Sequence, residues 1–555
     1  MLDFLSNAHI LIVDDFSGFR ETIKNMLQHF RIKKIDQASN GYDALRMCSD
    51  KNYQIIFCDY NLGEGPDGQQ ILEELHQRAI IPRGTLFLMV TAETTMAQVI
   101  GAIEYRPDSY LTKPFTGDQL GKRLFRLIER NIALRPIYDM IATGDLYHAR
   151  KICDDIMLEK PKFRLSCLRI KSELFEETNK PELALKIYND VIDEQPLLWA
   201  QMGVGRNLYE KGEFEKARDY FIEIRSSFQQ QVNIFDWIAK CQEAMGDTGK
   251  AETTLLEATA ISPKSLMRQA SLGKVAASLK HLDVAQKAFL SALHEGNYSC
   301  MLKPQHFRHF YENTRKLSKN AKSLEKTNLL NQTEKIIKNM ERKYREDPSA
   351  IAPNLSTVAK YYADEGMNDR VSAMLSKLEK VLEHEECILS SEDTNVIGQN
   401  LQQLPDNEKA NKFIDSISTR ISEMKVEITK NSKSSQTDEP LIETLPPDSL
   451  FSDSDMLQVA KKVNKEGLDL IEEKKPVLAL GKFRDAMEMA PENVSFSLNA
   501  AHIILTTPSL YKLPNLVEEA RQLLDKSDYS DENATRRKRY KALMEKLTNA
   551  EKLLV

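Results

Sequence analysis

Within the first 130 residues, five short apolar runs alternate with stretches of helical spacing, and this alternation limits the possible folds more than any other feature. The runs are ILIV (10–13), KKIDQA (33–38), YQIIFCD (53–59), TLFLMVTA (85–92) and SYLTKPF (109–115). An unbroken apolar run such as Ile10–Val13 marks a strand buried on both faces, as in parallel sheets. Helices are expected near 17–30, 41–50, 67–79, 94–105 and 116–131. Five strands alternating with five helices predict an α/β doubly wound, five-stranded parallel sheet.

Ligands of such sheets sit beyond the carboxyl ends of the strands. Asp14 and Asp15 follow the first run, Asp59 closes the third, Thr91 falls at the end of the fourth and Lys113 follows the fifth. One acidic residue at a strand end is ordinarily a solvated loop residue. Five fitting residues at four strand ends predict a cluster on one edge of the sheet. Adjacent carboxylates repel, so the pair Asp14–Asp15 calls for a positive partner. Three carboxylates suit a hard cation, and Mg²⁺ with several retained waters fits. Lys113 would add a fixed charge and Thr91 a hydroxyl. Such a site can stabilise a phosphoryl group passing to a carboxylate oxygen, which is mainly positioning and charge neutralisation.

With these residues and LTKPF (111–115), the segment from about 7 to 131 resembles the CheY-like receiver domain of two-component response regulators, a flavodoxin-like fold. The resemblance implies that Asp59 accepts phosphate from a sensor histidine kinase or phosphotransfer protein. It implies that Asp14, Asp15, Asp59 and the backbone carbonyl of Asn61 hold Mg²⁺, and that Thr91 and Lys113 bind the phosphoryl oxygens. It also implies a cis Lys113–Pro114 bond. Tyr110 matches the switch aromatic, which turns inward as Thr91 moves toward the phosphate, so that the face at about 94–130 changes shape. Asn61 and Glu93 match positions that tune the phosphate's lifetime, and polar groups there are compatible with water attack and turnover. The chain departs from the family in DYNLGEGPDGQQ (59–70), which looks one residue longer, and in EYRPDS (104–109) before Tyr110.

From 132 to 300 the pattern is helical and periodic. Ala149, Ala184, Ala217, Ala251 and Ala285 are separated by 35, 33, 34 and 34 residues, and each is followed four positions later by Cys153, Tyr188, Phe221, Leu255 or Phe289. Gly205, Ala239 and Gly273 stand twelve residues before the last three alanines. Small residues there let antiparallel helices approach closely, with the larger side chains filling the space between neighbouring pairs. This scheme resembles tetratricopeptide (TPR) repeats, five units of them, the first represented mainly by its second helix. The aromatics Trp199, Phe235 and Trp237 are read as core.

Residues 301–427 are expected to be an irregular helical region, with degenerate repeats as one reading. From Arg315 to Arg345, ten Lys/Arg stand against three Glu, a pattern expected of a solvated helix face. His384 and Cys387 lack a second ligand pair, so no zinc site is expected. The Ser/Asp/Pro-rich stretch 428–455 is expected to be a flexible linker. Beyond it, in 456–555, the repeat scheme returns with Gly467, Ala479, Phe483, Ala486 and Pro491. The basic cluster Arg536–Arg539 is read as another solvated face. The expected domains are therefore 1–131, 132–300, 301–427, the linker 428–455 and 456–555.

A chain of 555 residues exceeds one core. Its net charge of −6 argues against a protein built mainly to bind nucleic acid, and seven scattered cysteines suit reduced thiols in a cytoplasm. No apolar run reaches membrane-spanning length, so no membrane insertion is expected. The sequence predicts a response regulator whose phosphorylation switches protein–protein interactions of the TPR-like region, with an unknown partner in its groove. No enzyme is expected beyond the receiver's own phosphorylation and dephosphorylation. The alternatives are a phosphorylation-regulated nucleic-acid binder using the basic helical faces and a constitutive scaffold.

Overall fold

Alternate residues of each central strand face opposite layers, and this sets the first 130 residues as a sandwich of helices around a sheet. The computed structural model describes residues 2–92, 107–228, 231–384, 386–404, 453–472, 475–489, 493–508, 510–525 and 534–554. Five parallel strands run β1 (His9–Val13), β2 (Lys34–Ala38), β3 (Ile55–Asp59), β4 (Leu86–Thr91) and β5 (Ser109–Thr112), in the spatial order β2-β1-β3-β4-β5. Leu11, Val13, Ile56, Cys58, Phe87 and Met89 pack on the helices Gly41–Asp50 and Gly68–Gln77. Their neighbours Ile10, Ile12, Ile55, Phe57, Leu88 and Val90 pack on Ser17–His29 and the start of Gly117–Ala142. Both faces are thus covered, which is why the strands read as unbroken apolar runs. Glu93 and the helix expected near 94–105 lie outside the described residues.

The chain forms two compact units, residues 1–437 and 438–555. The boundary expected at 131 runs through the interior of a helix, because Gly117–Ala142 continues without a break and carries Pro136 inside it. Ala133, Leu134 and Ile137 at its end pack on Ala149 and Cys153 of the next helix, Leu146–Glu159. The first helical hairpin therefore does have a first helix, lent by the sheet domain.

Antiparallel helices then follow one another from Arg164 to Glu295. A Cβ on Gly205 would come within 2.4 Å of Phe221, and one on Gly273 within 2.5 Å of Phe289. The aromatic thus fills the space inside its own pair as well as between pairs: Phe221 also stacks on Trp237 of the next pair, with centroids 5.8 Å apart. Phe235 is buried, and Trp199 packs on Tyr188. Each of these five hairpins turns through one residue in the left-handed conformation, five positions before its alanine: Gly144, Asn179, Gly212, Gly246 and Lys280.

In the region expected to be irregular, the hairpin Pro348–Asp364 and Asn368–Leu382 turns through Gly366, also at positive φ and five residues before Val371. The basic stripe is not a uniformly solvated face. Arg315 pairs with Asp364 at 3.0 Å and Lys326 with Glu365 at 3.0 Å, while Lys343 is drawn onto the carbonyls of Asn297 and Ser299. Complementary acids near Arg315 and Lys326, and main-chain carbonyls near Lys343, account for this difference.

Most of the expected linker lies outside the described residues, but its last three residues belong to the helix Asp453–Glu472. In this second unit Gly467 meets Phe483 as Gly205 meets Phe221, with a Cβ distance of 2.6 Å. Arg539 of the basic cluster turns inward, donating to Asn499 Oδ1 at 2.7 Å. No helix among the described residues is long and apolar enough to cross a membrane.

Candidate functional site

Parallel strands of similar length end on one edge, and that edge gathers the residues singled out above. Asp14 and Asp59 are buried, Asp15 is exposed, and oxygens of the three carboxylates lie within 4.8 Å of one another. Lys113 reaches into the group from the end of β5, with Nζ 2.6 Å from Asp14 Oδ2 and 2.7 Å from Asp59 Oδ2. Thr91 closes β4 and is 1% exposed. The Lys113–Pro114 bond is cis.

Three further residues hold this arrangement, and the sequence reading did not single them out. Arg20 donates to the Asp14 carbonyl at 2.7 Å and to the Asp15 carbonyl at 3.3 Å, fixing the turn after β1. Phe19 lies under the Lys113 ammonium, 4.2 Å from Nζ to the ring centroid. Phe115 packs edge-on against that ring. A half-buried helix position such as Phe19 carries no sequence signal of a lysine 94 residues away.

Charge balance decides how the site can act. Burial pushes the Asp59 carboxyl above its ordinary value, the hydrogen bond from Lys113 opposes this, and the Asp14 charge adds to the rise. Burial alone would weaken the Lys113 charge, but its hydrogen bonds to Asp14 and Asp59 outweigh that and hold its pKa above the ordinary lysine value. One lysine cannot neutralise three carboxylates. The donor set, all oxygen and carboxylate-rich, fits a hard divalent cation of the Mg²⁺ type. Asn61 donates its backbone N–H to Asp59, and its side chain accepts from Gly63 N at 3.4 Å. Tyr110 is half-buried beside Met89 in the β4–β5 register. Glu93 lies outside the described residues.

The loop after Asp59 leads directly into a contact with the helical region. Gly68 starts the next helix so close to Asp59 that a Cβ there would lie 2.3 Å from the Asp59 carbonyl oxygen. Asp67 caps this helix, accepting from Gln70 N at 2.8 Å. From its outer face Gln70 donates to the Glu295 carbonyl at 2.7 Å, and Ser299 donates to Glu73 at 2.6 Å. Tyr42 packs edge-on against Tyr298, and the Lys264 ammonium lies 5.4 Å from the Tyr60 ring centroid. Separately, Arg83 pairs with Glu177. The sheet domain thus meets the helices by the face built from 41–42 and 60–78, not only by the covalent link at 131–142.

A five-stranded doubly wound sheet with buried aspartates and a lysine at its carboxyl edge defines a phosphoryl-accepting signalling domain. The chain belongs to the response regulators through that domain: the family model for the response regulator receiver domain matches residues 10–125. Chemotaxis protein CheY-3 of Vibrio cholerae serotype O1 is 32% identical over 124 residues, which are 22% of this chain and 94% of that protein. Chemotaxis protein CheY of Pseudomonas aeruginosa is 34% identical over 121 residues, 22% of this chain and 96% of that protein. Among solved structures, the receiver domain of the Francisella response regulator 1452 is 28% identical, covering 22% of this chain and 98% of that chain with a TM-score of 0.21. Receiver domains are phosphorylated on an aspartate and bind Mg²⁺ in an acidic pocket, and they take their phosphate from a histidine kinase or a phosphotransfer protein.

Proposed function

We propose that this chain is a phosphorylation-switched cytoplasmic adaptor, with the receiver as input and a TPR-like helical groove as the protein-binding output. Asp59 is the phosphoacceptor: one of its oxygens bonds to phosphorus as the donor's P–N bond breaks. Asp14, Asp15, Asp59 and the Asn61 carbonyl would hold Mg²⁺, which when bound neutralises charge on the phosphoryl oxygens. Lys113 moves from Asp59 toward those oxygens, Thr91 donates its hydroxyl to them, and Tyr110 follows Thr91. Asn61 and Glu93 set how long the acyl phosphate lasts.

The observation that carries this reading is the seating of the Gly68–Gln77 helix on Glu295 and Ser299, directly after the Asp59 loop. A charge change at Asp59 alters the loop that starts this helix, and the helix bears on the repeats. The route favoured here is therefore the 60–78 face, in addition to the 94–130 face expected from the family. The basic stripe supports a nucleic-acid reading poorly, since Arg315, Lys326 and Lys343 are engaged within the chain.

The test is a pull-down with full-length protein, Mg²⁺ and beryllium fluoride as the phosphoryl mimic, against untreated protein and Asp59→Asn. Recovery of a protein partner should change with the mimic on wild type only. Equal recovery in all three would leave a constitutive scaffold, and recovery of nucleic acid would favour the rival reading.

A further inference from the structure

The Lys113 ammonium meets two carboxylates and the face of an aromatic ring. Its Nζ lies 2.6 Å from Asp14 Oδ2, 2.7 Å from Asp59 Oδ2 and 4.2 Å from the ring centroid of Phe19. Two of these partners, Asp14 and Phe19, belong to one segment that is itself fixed. Asp14 Oδ1 accepts from the Phe16 backbone N–H at 2.9 Å, and Arg20 donates to the Asp14 carbonyl at 2.7 Å. The Phe19 ring packs on the core around Ile10 and Ile12. Phe115, two residues after Lys113, stands edge-on to it with centroids 5.7 Å apart and planes at 88°. The ring is thus anchored on both the segment that carries Asp14 and the segment that carries the lysine.

The three partners differ in what phosphorylation does to them. Asp14 and Phe19 keep their chemistry, whereas the Asp59 carboxylate gives up its charge when one of its oxygens bonds to phosphorus. The ammonium must then turn from Asp59 toward the phosphoryl oxygens without leaving the site. A further carboxylate in the place of Phe19 would oppose that turn, because a charge-assisted hydrogen bond is strong and tied to one acceptor atom. A ring face attracts a cation through its whole π system and offers no single acceptor atom. It also covers one side of the ammonium, and the Lys113 side chain is only 15% exposed. Fewer waters then compete with the phosphoryl oxygens for its N–H groups. Any apolar side chain could close the core at this position, but an aliphatic one would give the ammonium no π face.

We propose that Phe19 is a positioning residue for phosphoryl binding, its ring holding the Lys113 ammonium within reach of both Asp59 and the phosphoryl oxygens as it passes from one to the other. This deepens, and rests on, the reading of Asp59 as phosphoacceptor. Lys113 is the group that touches the phosphoryl oxygens, and Phe19 acts only through it.

Isothermal titration of the full chain with beryllium fluoride, at saturating Mg²⁺, tests this. Wild type should bind the mimic and Asp59→Asn should not. Phe19→Leu should weaken binding by about threefold or more, whereas Phe19→Tyr, which keeps the ring, should stay within about twofold of wild type. Mono-, di- and trifluorinated phenylalanine at position 19 nearly keep the shape of the ring while withdrawing its π density. Affinity should therefore fall stepwise along that series, and the fall should disappear in Lys113→Met, where the cation is gone. Unchanged affinity in Phe19→Leu, a Phe19→Tyr variant as weak as Phe19→Leu, no trend with fluorination, or the same trend in Lys113→Met would each overturn the proposal and leave the phosphoacceptor reading standing. Wild-type protein that fails to bind the mimic, or binds it as well after Asp59→Asn, would remove that reading and the proposal with it.

Discussion

The Gln70 side-chain amide donates to the main-chain carbonyl of Glu295 at 2.7 Å, joining the receiver to a helical turn 225 residues further along the chain. Three residues on, Glu73 accepts from Ser299, so two neighbouring positions of one receiver helix grip the end of the helix Leu282–Glu295 and the turn after it. Part-buried hydrogen bonds of this kind contribute about 0.5–1.5 kcal/mol each. The double variant Gln70→Ala/Glu73→Ala should therefore loosen the seat without unfolding either partner. Hydrogen–deuterium exchange of the 295–303 backbone should speed up by roughly tenfold, the equivalent of about 1.4 kcal/mol. Unchanged exchange there would mean that the covalent link and the Arg83–Glu177 pair hold the domains by themselves.

Asp67 sits between the Asp59 loop and this seat, and burial pushes its carboxyl up to about 6. The folded protein thus holds a proton between pH 3.8 and about 6 that the unfolded chain has released. Stability contributed by this group falls as pH rises through that window and stays low above it. Asparagine caps a helix as well as aspartate does and carries no charge. Asp67→Asn should accordingly be more stable than wild type at pH 7, by about 1–2 kcal/mol, because partial access to water reduces the full effect of the shift. The gain should vanish near pH 4. Urea midpoints of the receiver transition across pH 4–7 check this, and parallel curves for the two proteins would refute it.

Gly68 has no room for a side chain, since a Cβ would press on the Asp59 carbonyl oxygen at 2.3 Å and on the Met89 sulfur at 3.0 Å. Backbone does not yield as a flexible side chain does, so Gly68→Ala must shift either the helix or the end of β3. A cost of about 1–3 kcal/mol is expected. Beyond stability, phosphorylation of Asp59 by a small-molecule donor should slow by more than tenfold, measured as incorporated phosphate. Wild-type rates in this variant would show that the loop adjusts without moving Asp59.

What could be read from sequence divides along physical lines. The sheet was legible because both faces of β1, β3 and β4 are buried, leaving runs such as Ile10–Val13 without a polar break. Asp14, Asp15, Asp59, Thr91 and Lys113 were legible because parallel strands bring their carboxyl ends to one edge, whatever the loops do. The Gln70–Glu295 contact left no trace, since a surface glutamine and a main-chain carbonyl at a helix end look ordinary one at a time. The expected boundary at 131 falls inside Gly117–Ala142, because that helix serves two cores in succession and its apolar spacing never lapses where one hands over to the other.

The left-handed turn of the hairpins gives the last prediction. Gly212 and Gly246 occupy it with φ of 79° and 80°, where glycine is free of strain. Thirty-four residues after Gly246 the same turn falls on Lys280, with φ of 64°. A side chain in that conformation costs about 1–2 kcal/mol, because its Cβ crowds the following carbonyl. Lys280 is exposed and belongs to no ion pair among the described residues, so little offsets the strain. Replacing it with glycine removes the strain but adds freedom to the unfolded chain, leaving a net gain of about 0.5–1 kcal/mol for Lys280→Gly. The reverse change, Gly246→Lys, should lose a similar amount. The pair can be compared by the urea midpoint of the helical transition in the full chain. If both substitutions move the midpoint in the same direction, turn geometry is not what sets these hairpins, and the packing of Phe221 and Phe289 against Gly205 and Gly273 must carry them instead.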